Sequence, residues 1–358
     1  MGSIYIIATH YASTKRLFGA QTGFFEELST MAMKDGHQIF IVDVNGLTKY
    51  SKPIRGFTFD LNHNCWKYID CKEAFVIYDR YFPGINTYTE NLPLSGIREK
   101  DFTIFNPIKA TEIMNDKYQS VRLLEQSGVS FPKTELIDSN VYDSELLNTK
   151  NRFVIKPRFG MKGYDVCFAE KSGVSLELNN TGELVKIEHL HERFKGYIIQ
   201  EQIDTLFSAN GKSADFRVLL QRIDGKMQAV GSYARTGDKN LPLNLACGGR
   251  IVPIEKWLYN TAITEKVAQT KEALNTDALE AGDFLCSRIN GIFEIGMDFI
   301  LDKDYKLWCL EANSKPARLG FKLLAMDKTT PLESQKYFTD VREQSMRNII
   351  KFGQDLLS

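Results

Sequence analysis

The 358 residues carry 45 basic and 45 acidic side chains, so the formal net charge is zero and no global field draws the chain to nucleic acid or to a membrane surface. At 43% hydrophobic residues the chain is globular, and its length suits two or three packed lobes, each burying its own core. The apolar run Ile4–Ala8 is too short for a signal-peptide core, no later run reaches the roughly 18 residues of a membrane span, and six scattered cysteines (65, 71, 167, 247, 286 and 309) form no CxxC pair, which argues against a zinc knuckle or a disulfide framework and for a reducing cytoplasm.

In chain order, strand signals at Ile4–Ala8, Gln38–Val44 and Ala74–Tyr78 flank a helical Thr22–Asp35, the pattern of a small α/β layer with a parallel sheet. Asn106-Pro107 marks a boundary, because the residue before proline avoids the helical region. Lys109–Gly128 then reads as one helix stopped by Gly128. Strands follow at Arg152–Lys156, Val166–Ala169, Gly196–Gln202, Phe216–Gln221 and Gln228–Tyr233, and helices at Thr261–Ala273 and Ala278–Ile289. A hairpin, Gly291–Leu301 with Tyr305–Glu311, precedes a C-terminal helix near Val341–Leu357.

Three clusters carry chemistry. Phe153–Pro157 is a buried strand ending in Lys156, followed by a loop with Arg158, Gly160, Lys162 and Gly163, where a lysine and backbone amides can cover phosphates. In the hairpin, an even-numbered turn would place Asp298 roughly opposite Cys309 and on one sheet face with Glu311 and Asn313, and an odd one would need a compensating bulge to bring these three hard oxygen donors, suited to Mg²⁺, together. Between these clusters, Arg217 and Arg235 stand at strand ends near a loop with Asn244 and can stabilise charge on phosphoryl or carboxylate oxygens. His189 and His191 lie in a charged stretch without a third ligand and read as solvated surface, while Tyr78, Tyr81 and Phe82 read as core.

The order of these pieces resembles the ATP-grasp superfamily from about Asn106 to Lys322, and within it the YheC/YheD branch, with a relation to the glutamate ligases that extend ribosomal-protein tails. The landmarks are Asp116-Lys117, Gly128–Pro132, Val154–Pro157, Ile199–Asp204, Asp215-Phe216-Arg217, Asn244–Gly249, Gly296-Met297-Asp298 and Leu310–Pro316. The resemblance implies an N-terminal α/β pre-ATP-grasp domain (1–105) and an α+β ATP-grasp domain (106–358) whose lobes, 106–200 and 201–358, clasp ATP.

It also implies roles. Lys117, Lys156, Arg158, Gly160, Lys162 and Gly163 would contact the ATP phosphates, with Arg158–Tyr164 as a mobile cover. Gln200, Glu201, Gln202 and Ile203 would be the hinge that reads adenine, and Asp204 would meet the ribose. Asp298, Glu311 and Asn313 would hold Mg²⁺, as two ions, with Arg217, Arg235 and Asn244 beside the transferring phosphoryl group. Arg80, Lys315 and Arg318 are the candidate substrate contacts. The phosphate loop departs from a plain Gly/Ser run through Arg158, Met161 and Lys162, and the first hundred residues match only loosely.

The implied activity is ATP-dependent joining of a carboxylate to an amine or other nucleophile through an acyl phosphate, with release of ADP and phosphate. Alternatives are a kinase on the same fold, which leaves a stable phosphorylated product, and a spore-associated nucleotide-binding protein. The reading leaves room for a homo-oligomer. Because the metal face would gather negative charge, Asp298→Asn and Glu311→Gln are expected to leave the ligand-free protein as stable as before or more so.

Overall fold

The apolar run after Gly2 does form a central strand: β1 (Ser3–Ile7) is buried from its second residue onward and pairs in parallel with β2 (Gln38–Val42). The computed structural model describes residues 3–11, 16–43, 54–71, 76–82, 102–160, 165–238, 243, 248–261 and 264–357. The first sheet is completed by β3 (Arg55–Asp60), β4 (Cys65–Asp70), β5 (Val76–Asp79) and β6 (Thr103–Phe105), in the order β4-β3-β2-β1-β5-β6. Only its β2-β1-β5-β6 part is parallel. The β3–β4 hairpin adds two antiparallel strands that the sequence reading lacked. Exposed Lys67, Tyr68 and Asp70 on β4 hide the apolar alternation there.

The second sheet holds β7 (Thr134–Leu136), β8 (Arg152–Pro157), β9 (Cys167–Ser172), β10 (Ser175–Leu178), β11 (Leu184–Lys186) and β12 (Tyr197–Glu201), ordered β11-β10-β9-β8-β12-β7 and antiparallel throughout. The third holds β13 (Ser213–Ile223), β14 (Lys226–Gly237), β15 (Arg250–Val252), β16 (Glu294–Leu301) and β17 (Leu307–Asn313), ordered β15-β14-β13-β16-β17. Asp224 (φ 50°) and Gly225 (φ 82°) make the two-residue turn between β13 and β14, with positive φ at both positions as a tight hairpin requires.

Three helical expectations change. Lys109–Gly128 is two helices, Ile108–Asn115 and Lys117–Leu124, broken at Asp116. Asp116 leaves the helical region (ψ 98°) so that its carboxylate can accept from the amides of Tyr118 and Gln119, both at 3.1 Å. Conversely, Val267–Arg288 is one helix where two were expected; Asn275, Thr276 and Asp277 are poor helix formers but cost only tenths of a kcal/mol each, roughly, when packing holds the rest. Its Gly282 lets the helix lie close on β13, since a Cβ there would stand 2.6 Å from Leu220. The last helix is longer than expected, Leu332–Asp355, and a short helix, Leu319–Met326, precedes it. Among the described residues no helix is long and apolar enough to cross a membrane.

A buried polar knot joins the first and third sheets to the last helix. Glu294 on β16 is fully buried and accepts from the Tyr78 hydroxyl, from Arg318 and, at 3.0 Å, from Gln221. Arg80 lies 3.6 Å from the same carboxylate. Gln221 in turn accepts from Asn348 at 2.9 Å, and Arg318 donates to Ser345 at 3.0 Å. Arg80 and Arg318, expected as substrate contacts, are therefore 4% and 5% exposed and engaged inside the protein. Removing the charge of Glu294 would leave both arginines without their carboxylate. Glu294→Gln should destabilise the protein by about 3 kcal/mol, read as a lowered urea midpoint; an unchanged midpoint would show the knot to be dispensable.

Candidate functional site

The hairpin β16–β17 turns through Asp302 to Lys306, an odd number of residues. Leu301 pairs with Leu307, Ile300 with Trp308 and Phe299 with Cys309. Continued regularly, this ladder would put Glu311 beside Met297 on the core face. A β-bulge at Leu310 prevents that: beyond it Asp298 pairs with Glu311, Met297 with Ala312 and Gly296 with Asn313. Burial follows the change of phase, since Leu307, Cys309 and Ala312 all join the core cluster. Asp298 thus stands opposite Glu311 rather than Cys309, and of the two routes to a shared face, an even turn or a compensating bulge, the chain takes the bulge.

On that face the third sheet carries a row of four side chains, because Tyr233 pairs with Arg217, Arg217 with Asp298 and Asp298 with Glu311. Asp298 is 1% exposed and clasped from two sides. Arg217 donates to it through Nε and, at 2.6 Å, through a terminal nitrogen; Arg235 reaches it at 2.8 Å. Burial alone would raise the Asp298 carboxyl, but the two guanidinium groups outweigh it and hold it well below the usual carboxylate range. Arg235 also binds Asp215 in bidentate fashion at 2.6 and 2.9 Å, yet burial still lifts Asp215 to about 6. Gly296 makes room for this arrangement: a Cβ there would stand 2.8 Å from Pro316 and 3.4 Å from an Arg217 nitrogen.

The second sheet brings cations to the other end of the row. Lys156 on β8 donates to Gln200 at 2.9 Å, and Gln200 to Thr134 at 2.8 Å. Burial pushes Lys156 down to about 8, opposed chiefly by the charge of Glu311. Lys117, in the first turn after the Asp116 break, donates to the Gly160 carbonyl at 2.6 Å and is likewise lowered by burial and raised by Glu311. Both lysines therefore lie within electrostatic reach of Glu311. Arg158 is held by Asp116 at 2.9 and 2.6 Å, which ties the start of the phosphate loop to the helix break. Lys162, Gly163 and Asn244 lie outside the described residues.

Gln200 thus supports Lys156, while the rest of the hinge is tied to both sides. Glu201 pairs with Lys150 at 2.5 Å and Asp204 with Arg152, and the Gln202 amide donates to the Arg152 carbonyl at 3.0 Å. The amide of Lys303, in the β16–β17 turn, donates to the Asp204 carbonyl at 2.8 Å. Glu201, Ile203 and Asp204 line a cleft of about 370 Å³ together with Lys150, Arg152 and Trp308. Lys315, expected at the substrate, is 9% exposed and bound to Asp79 at 2.8 Å and to the Tyr81 carbonyl at 2.6 Å.

Asp298, Glu311 and Asn313 offer two carboxylates and an amide oxygen, with the Asn313 amide nitrogen 3.2 Å from Glu311. Such a set fits a hard cation, but among the described residues no three acidic, histidine or cysteine side chains converge as a closed metal cage. Phosphate oxygens and water would have to complete the coordination. Asp116, Asp215 and Thr134 were not singled out as functional from the sequence, although the first two stand within landmarks it displayed.

Residues 106–340 match the model of the YheC/D like ATP-grasp family. The chain belongs to that family. Among curated proteins it is similar to the endospore coat-associated protein YheD of Bacillus subtilis, 25% identical over 93% of this chain and 77% of that protein. It is also similar to the coenzyme gamma-F420-2:alpha-L-glutamate ligase of Methanococcus maripaludis, 26% identical over 68% of this chain and 76% of the ligase. The fold is shared with D-alanyl-alanine synthetase A of Vibrio cholerae at a TM-score of 0.54 and 11% identity, over 95% of this chain and 98% of that one.

Two outcomes follow from the geometry. The arginines around Asp298 reverse the expectation that its neutralisation relieves repulsion: Asp298→Asn should destabilise the ligand-free protein by about 3 kcal/mol at neutral pH, seen in urea unfolding. For Lys156, a buried amine loses its proton more readily than an exposed one, so nucleotide affinity should weaken as pH rises through about 8. Nucleotide titrations across that range should show the bend in the wild type and not in Lys156→Met; a bend common to both would place the titrating group elsewhere.

Proposed function

We propose that this ATP-grasp ligase binds ATP between its second and third sheets and uses it to join a carboxylate to an amine, with release of ADP and phosphate. The observation that carries this reading is that Lys117 and Lys156 lie within electrostatic reach of Glu311, with the Arg217–Asp298–Arg235 group directly beyond it. One side supplies cations for a polyphosphate, and the other supplies hard oxygens backed by guanidinium groups. The relative named as a glutamate ligase supports the same reaction class.

In this reading Lys117 and Lys156 hold phosphate oxygens, and the hinge from Gln200 to Ile203 meets the adenine, with Asp204 toward the ribose. Asp298, Glu311 and Asn313 would hold Mg²⁺, which when bound neutralises charge on the β- and γ-phosphates. Arg217 and Arg235 orient the acceptor and steady the charge on the phosphoryl oxygens. A carboxylate oxygen bonds to the γ-phosphorus as the bond to ADP breaks. The amine nitrogen then bonds to the acyl carbon, phosphate departs with the former carboxylate oxygen, and the amine loses a proton. No side-chain nucleophile is required. The acceptor is an amino acid, a peptide or a carrier-bound amine.

Incubation with Mg-ATP and a pool of carboxylates and amines should yield ADP, phosphate and a new amide by mass spectrometry, and hydroxylamine in place of the amine should trap a hydroxamate. AMP with pyrophosphate would overturn the acyl-phosphate route. A stable phosphorylated product with no amide would identify a kinase.

A further inference from the structure

Tyr233 lies on β14 two residues before Arg235, and the ligase reading gives it no task. It is 4% exposed, yet among the described residues its hydroxyl has no hydrogen-bond partner. The hydroxyl oxygen is not one of the polar atoms shut off from both solvent and partners, so the small exposure the residue retains lies at its tip, where a ligand can reach it. Its ring is held on both sides: it packs edge-on against Phe321 at 5.1 Å, and its hydroxyl-bearing carbon lies 2.4 Å from where a Cβ of Gly320 would stand. Any side chain at 320 would displace the phenol.

Gly320 is in the first turn of the helix Leu319–Met326, which has no side-chain cap. The tip of Tyr233 therefore meets a helix start that no side chain caps and whose dipole favours an anion. Two independent features, an unpartnered donor and an uncapped helix start, converge at one place. Arg217 is the next residue along the row.

The row also sets distances. Adjacent strands are about 4.8 Å apart, so Tyr233 stands about 10 Å from Asp298 and about 14 Å from Glu311. The lysines lie at the Glu311 end, so the polyphosphate enters from there and the γ-phosphoryl group comes over Asp298 and Arg217. In-line transfer puts the attacking oxygen on the side away from ADP, which is the Tyr233 end. We propose that the Tyr233 hydroxyl and the first-turn amides of helix Leu319–Met326 bind the carboxylate that becomes the acyl phosphate. This deepens the ligase reading and rests on it. A phenol donates to an oxygen anion without needing to ionise, and burial raises its pKa further.

The test uses the full chain saturated with Mg-ADP and titrated with acetyl phosphate, the simplest acyl phosphate, followed by ³¹P NMR. Tyr233→Phe keeps the ring in its seat. It should keep the melting temperature and the Mg-ADP affinity of the wild type but bind acetyl phosphate about tenfold more weakly. Inorganic phosphate, which lacks the acyl end, should lose less than about twofold. Gly320→Ala, which leaves the hydroxyl present but displaces it, should also weaken acetyl phosphate. Equal acetyl phosphate affinity in Tyr233→Phe and wild type, or equal losses for both probes, would overturn the assignment. So would a wild type that binds Mg-ADP but not acetyl phosphate, with the ligase reading left standing. A wild type that binds no Mg-ADP would remove the ligase reading and this inference together.

Discussion

One extra residue in one strand decides whether there is a site at all. With a five-residue turn and a regular ladder, Glu311 and Asn313 would point into the core among Met297, Phe299 and Cys309, where two polar side chains would lack water and partners. The bulge at Leu310 moves them to the opposite face and brings Ala312 inside in their place. Everything assigned to the third sheet, from the oxygen set to the four-residue row, depends on that change of phase. A bulge leaves a residue unpaired and disturbs the ladder locally, a cost the strand bears at the position where the chemistry is placed.

The second organising fact is the way charge is balanced before any ligand arrives. Two arginines and two aspartates, Arg217, Arg235, Asp215 and Asp298, form a closed set in the third sheet. On the other side, among the described residues, buried Lys156 and half-buried Lys117 have no direct carboxylate partner of their own: Lys156 rests on the Gln200 amide oxygen and Lys117 on a backbone carbonyl. The free cationic capacity of the cleft thus lies with the lysines. Under the proposed function that asymmetry favours phosphates on their side and leaves the guanidinium groups to act by exchanging part of their hold on Asp298.

Much of this was legible in the sequence where chemistry and pattern coincide. The strand ending in Lys156, the hairpin with Asp298, and the Asp215-Phe216-Arg217 strand were each visible, and they proved to converge. What pattern could not supply was phase and partner. The parity of the turn suggested one register and the bulge imposed another, because a single inserted residue leaves no compositional trace. Asp298 read as one more negative charge in a crowded site, since the pairing of β13 with β16 is invisible along the chain. Helical periodicity ran through Asp116, whereas the landmark Asp116-Lys117 marks the start of the second helix. The capping role of Asp116 and its grip on Arg158 need three-dimensional neighbours. Tyr233 was missed for the opposite reason: an aromatic on a strand is ordinarily core, and only the missing partner at its hydroxyl sets it apart.

The final helix, Leu332–Asp355, serves two cores at once. Its Phe338 and Val341 pack with Leu219 and Tyr233 of the third sheet, while Met346, Ile349 and Ile350 close the core of the first. Gly353 comes so near β1 that a Cβ there would stand 2.7 Å from Ile4. During synthesis from the ribosome, then, β1 emerges well before the helix that covers it, and its side of the first sheet stays uncovered while roughly three hundred residues are added. The first sheet cannot reach its native packing before that helix arrives, and until then the nascent chain carries an apolar surface that a chaperone or the intervening lobes must shield.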